Sequence, residues 1–166
     1  MTAPLIVLGD DIPVLRELHA APALGEEAPR TACGVVWGAD LTGLTARAAR
    51  SKLKAAATEA VRAASHHPGA SHLIIVFAHD ALHRDEAYWT ATEAIASRLH
   101  ARLELARGRE WDVIVLDASR CDDAGLLHAR LRDAATRSAG SVGNASLEWH
   151  DIRDQPIHRA AARHAL

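Results

Sequence analysis

Acidic and imidazole side chains recur in this sequence directly after apolar runs. PLIVLG leads to Asp10 and Asp11, and ACGVVW to Gly38, Ala39 and Asp40. HLIIVFA leads to His79, Asp80 and then His83, and WDVIVL to Asp117, Ser119 and Cys121. A fifth, weaker run ends at Trp149, His150 and Asp151. Several carboxylates gathered in one place raise one another's pKa or recruit a cation. Oxygen ligands suit Mg²⁺, and added imidazole suits Zn²⁺ or Mn²⁺. These residue types therefore support metal-assisted or acid–base hydrolysis. Asp10, Asp40 and Asp117 would hold a divalent ion or polarise water, with His83 as a further ligand. His79 would be the general base or a ligand, since imidazole titrates near neutrality, and Asp80 would orient it. A phosphoester is the preferred substrate because metals suit its chemistry. The plainer role for each aspartate is helix capping, since each run precedes a helical segment.

For these groups to act together, the runs must be like-directed strands of one sheet. The strands are expected at residues 4–9, Thr31–Trp37, His72–Ala78, Trp111–Leu116 and Asn144–Trp149. Between them apolar residues recur at three- and four-residue spacing, which predicts helices over Thr42–Ser65, Asp85–Arg107 and Asp122–Arg137. A shorter helix is expected from Pro13 through His19, capped by Asp10 or Asp11, after which residues 20–30 form a loop. A terminal helix starts near Asp154 and Pro156 and runs to His164. Gly108 and Pro68-Gly69 end the two longest helices. Continuous apolar strands alternating with helices imply a parallel sheet covered on both faces. The expected fold is thus α/β, a three-layer α-β-α sandwich around a mostly parallel five-stranded sheet, flavodoxin-like or receiver-like. Strand order 2-1-3-4-5 and right-handed crossovers are the common solution, with an order that has a different edge strand as the alternative. All strand ends then meet at one edge, where ligands bind.

Composition limits the functional classes. With 166 residues, a single domain over 1–166 is expected. A net charge of -2 gives no overall attraction to nucleic acid or anionic membrane. No run approaches the roughly 18 apolar residues of a membrane span. Leu5–Leu8 is too short for a signal peptide core, so a cytoplasmic location is expected. Cys33 and Cys121 are too few for a disulfide framework and are expected to be reduced thiols. No glycine-rich phosphate loop follows any strand, so a nucleotide cofactor is not expected. Of the eleven histidines, His66, His67 and His72 are read as solvated, at a loop and a strand start. His79 and His83 stand at i and i+4, the spacing of zinc-protease helices. Here the intervening acid is Asp80, and the motif follows a strand.

Two stretches resemble known families. Asp10-Asp11-Ile12-Pro13, with the helix that follows, resembles the first strand-to-helix turn of response-regulator receiver domains. Val113–Leu127 is loosely similar to their fourth strand and helix. That resemblance implies a Mg²⁺-holding acidic pair beside a phosphorylated Asp. The chain departs from it by placing His79 and Asp80 after strand three, by Asp117 where a hydroxyl is usual, and by having no lysine on strand five. His79 after one strand and Asp117-Ala118-Ser119-Arg120-Cys121 after the next resemble caspase-like peptidases, which carry Asp-Ala-Cys-Arg-Ser in that turn. Ser and Cys are exchanged here. The resemblance implies a thiol–imidazole pair formed by Cys121 and His79. A non-catalytic receiver-like signalling or protein-interaction module is the competing class. Its surface would be the helix face of Arg47, Arg50, Lys52, Lys54 and Arg62, which holds one acid, Glu59, and suits an acidic or phosphate-bearing partner.

Overall fold

The computed structural model describes residues 5–20, 34–81 and 85–164. Five parallel strands form one sheet: β1 (Leu5–Gly9), β2 (Gly34–Asp40), β3 (His72–Ala78), β4 (Asp112–Asp117) and β5 (Asn144–Glu148). A 3-10 turn (Pro13–Leu15) continues into helix α1 (Arg16–Ala20). The longer helices are α2 (Ala46–Ser65), α3 (Glu86–Arg107) and α4 (Ala124–Thr136). Two short helices, α5 (Trp149–Arg153) and α6 (Ile157–His164), end the described chain. The expected α/β sandwich is present.

The strands form because their residues suit burial on both faces. Every residue of β4, and all of β3 except Ala78, is buried. Alternate side chains serve opposite layers. Leu73, Ile75, Phe77, Val113 and Val115 meet α2 and α3. Ile74, Val76, Ile114 and Leu116 meet the 3-10 turn, α1, α4, α5 and α6. The long helices start where a side-chain oxygen accepts an orphan backbone N–H: Thr45 from Ala48, Asp85 from Tyr88, and Asp123 from Leu126. Gly108, left-handed at φ 63°, ends α3 as expected. The predicted cap of the first helix is corrected. Ile12 occupies that position without a side-chain bond, and the Asp10 carboxylate turns to β2 instead.

Strand order is also corrected. It is β1-β2-β3-β4-β5, so β1 lies at an edge and not inside. The second strand runs on through Gly38, Ala39 and Asp40, which pair with Val76, Phe77 and Ala78. Close approach of β1 to β2 needs glycine on both sides. An added Cβ would fall 2.3 Å from the Gly38 oxygen at Gly9, and 2.5 Å from the Asp10 oxygen at Gly38. Nor do all crossovers share one hand. Each connection from β2 to β5 steps one strand in the same direction, yet α2 and α3 cover one face and α4 the other. Such paths have opposite hands, contrary to the uniform right-handedness expected.

This arrangement decides where crevices form. They open at the carboxyl ends of neighbouring strands whose connections leave toward opposite faces. That topological condition is met twice, between β1 and β2 and between β3 and β4, and those two strand-end junctions are called crevices below.

Candidate functional site

At the β3–β4 crevice the centre is Asp117, 1% exposed, with His79, 8% exposed, beside it. One carboxylate oxygen lies 2.8 Å from His79 Nε2 and accepts the Tyr88 hydroxyl at 2.6 Å. The other accepts Ser119 N at 2.9 Å and Ser119 Oγ at 2.5 Å. Ser119 Oγ in turn accepts the backbone N–H of His79 at 2.9 Å. Phe77 stacks on the imidazole, with centroids 5.9 Å apart and planes at 24°. Burial alone would push Asp117 up. The hydrogen bonds from His79, Ser119 and Tyr88 outweigh it and hold the carboxyl well below the usual range.

The order of these contacts matters chemically. In a nucleophilic triad the imidazole stands between hydroxyl and carboxylate. Here the carboxylate stands between hydroxyl and imidazole. Ser119 Oγ makes two bonds, one to Asp117 and one to a backbone N–H, and neither reaches the His79 ring. A carboxylate with so low a pKa is a weak base. Cys121, half-buried in the same turn, is a free thiol. Burial pushes its pKa up, and the Asp122 and Asp123 charges add to the shift, which opposes thiolate formation.

The β1–β2 crevice holds Asp10 and Asp40. Asp10 Oδ2 accepts the Asp40 backbone N–H at 2.9 Å and the Lys52 ammonium at 2.9 Å. Lys52 Nζ also donates to the Asp40 carbonyl at 2.7 Å. The positive charge facing this pair is thus a lysine from α2. The Asp40 carboxylate binds Thr42 Oγ1 at 2.6 Å and Thr42 N at 3.0 Å, and these bonds lower its pKa. Asp80 accepts the Gly43 N–H at 3.1 and 3.2 Å, tying the end of β3 to the β2–α2 loop.

Of the six expected site residues, His79 and Asp117 are brought together directly. Asp10 and Asp40 share a backbone bond and Lys52, Asp80 serves a loop, and His83 lies outside the described residues. Among the described residues no three His, Cys, Asp or Glu side chains are gathered as a metal-binding group. Around β5, Glu148 and Asp151 cap α5 reciprocally, and His150 lies against both. Sequence reasoning did not single out Tyr88, and gave Ser119 and Lys52 no role in the site. A buried tyrosine needs a partner for its hydroxyl, which was the available signal.

A second His–Asp pair sits at the opposite end of the same two strands. His72, expected to be solvated, is buried with its Nε2 3.3 Å from Asp112. Asp112 also accepts the N–H groups of Gly140, Val142 and Gly143 and the Ser141 hydroxyl. Burial pushes its pKa up, but His72 and the Gly143 and Val142 N–H groups bring it below the ordinary value.

Compared with known proteins, the chain matches no protein-family model, no curated protein and no solved structure. No helix among the described residues is long and apolar enough to cross a membrane.

Proposed function

We propose that the chain is a non-catalytic protein-interaction module whose β3–β4 crevice is a structural lock. The observation that carries this is the position of Asp117 between Ser119 and His79. It directs the hydroxyl proton to a weak base and leaves the imidazole bonded to a carboxylate. Lys52 supports the same reading at the other crevice, because it already provides Asp10 with a compensating charge. Ser119 occupies the position that caspase-like peptidases give to cysteine, so the chain is read as a member of that general design without its nucleophile.

A small hydrolase is the second function these residues support, because Ser, His and Asp meet within hydrogen-bond distance. A divalent ion at Asp10 and Asp40 would belong to that alternative. Labelling separates the two. The intact chain is treated with a fluorophosphonate and with iodoacetamide near neutral pH and mapped by mass spectrometry. The module reading expects Ser119 unmodified and Cys121 reacting no faster than a simple thiol. Stoichiometric labelling of Ser119 that disappears in His79→Gln overturns it. So does a thermal shift with Mg²⁺, Mn²⁺ or Zn²⁺ that disappears in Asp10→Ala.

A further inference from the structure

Helices α2 and α3 lie side by side on one face and leave a trough between them. One stretch is an open cleft of about 590 Å³, bordered by Lys54, Ala87, Thr90 and Ala94, with Glu86 and Arg98 toward its two ends. A deeper stretch of about 190 Å³ runs beneath Arg50 to Leu53, Tyr88 and Thr92. Lys54, Ala91 and Ile95 border both stretches, so the two adjoin along α3. From Glu86 to Arg98 the trough follows α3 for about 18 Å at 1.5 Å per residue. Ala87, Ala91 and Ala94 keep that side of α3 low, so another backbone can come close.

Charge decides what fits. Arg50, Lys54 and Arg98 are exposed and make no ion pair or side-chain hydrogen bond with any described residue. Lys52, two residues from Arg50, is by contrast held by Asp10. The acids near the trough, Asp85 and Glu86, are confined to the start of α3, and Asp85 already caps that helix. A second copy of this chain offers no matching helix among the described residues. Glu93 of α3 is accompanied by Arg98 and Arg102, and Asp133 of α4 is held by Arg137.

We infer that the trough docks an acidic amphipathic helix of a partner protein. Apolar side chains would lie over Ala91 and Ile95, and carboxylates would meet Arg50, Lys54 and Arg98. The inference rests on the interaction-module reading and names its partner class. Tyr88 connects the two sites, because it lines the deep stretch while its hydroxyl holds Asp117.

The test uses the full chain and a labelled model peptide of about 14 residues, long enough to span the trough. It is a constrained helix with leucines on one face and three glutamates beside them; a control carries lysines in place of the glutamates. Fluorescence polarisation should show saturable binding of the acidic helix, at least about tenfold tighter than the control. Arg50→Glu with Lys54→Glu should weaken it about tenfold or more, and Ala94→Trp should weaken it by filling the trough, with melting temperatures unchanged. Equal affinity for both helices overturns the inference. So does indifference to these substitutions, or equal displacement by unstructured polyglutamate or by an RNA oligonucleotide. Failure here leaves the Ser119 labelling result untouched. Conversely, labelled Ser119 would overturn the module reading while peptide binding stood.

Discussion

Asp117 accepts hydrogen bonds from the described residues His79, Tyr88 and Ser119 while almost wholly removed from water. A buried carboxylate so surrounded is stable only as the anion, and its loss leaves donors without an acceptor. Asp117→Asn puts an NH₂ group among those donors and is expected to cost on the order of 3 kcal/mol in urea denaturation. A cost within error of zero would show that the cluster does not hold the edge. The pH dependence follows from the depressed pKa of the folded state. Its contribution is complete above the ordinary carboxylate range, near pH 4, and is lost as pH falls from there toward the folded value. The loss of stability below about pH 4 should therefore be shallower in Asp117→Asn, with Asp112 left to supply part of the slope. Much of this site was legible because Asp117 and His79 directly follow apolar runs. Tyr88 was not, since its partner lies on β4, 29 residues away. His72 was misread because nothing local announces Asp112, 40 residues on.

Among the elements, β1 depends most on single residues. It is a half-buried edge strand, and its approach to β2 relies on Gly9 at φ +86° and on Gly38. Gly9→Ala combines an unfavourable backbone angle with a backbone clash and is expected to destabilise by about 2 kcal/mol, read from the urea midpoint. A neutral Gly9→Ala would mean that β1 is not held as described. The long helices were readable because their apolar spacing and caps are local. Strand order was not. PLIVLG and GVVWGA are alike as apolar runs, and what separates edge from interior is a contact between glycines 29 residues apart. The end of β2 was placed too early for the same reason. Gly38 and Ala39 look like turn residues until Val76 and Phe77 stand beside them.

For the whole molecule, the layering follows from strands buried on both faces, and stability is concentrated at the centre. Amide hydrogen exchange is expected to be slowest in β3 and β4 and fastest, among the strands, in β1. Equal protection of β1 and β3 would contradict the observed order. The paired histidines and aspartates at both ends of β3 and β4 have a further effect. Apolar strands buried on both sides are nearly indifferent to sliding past one another by two residues, because each side chain returns to the same layer. His72 with Asp112, and His79 with Asp117, remove that indifference. Any such slide would strand two buried carboxylates at once, so the polar tips act as end stops that select one alignment of an otherwise featureless central pair.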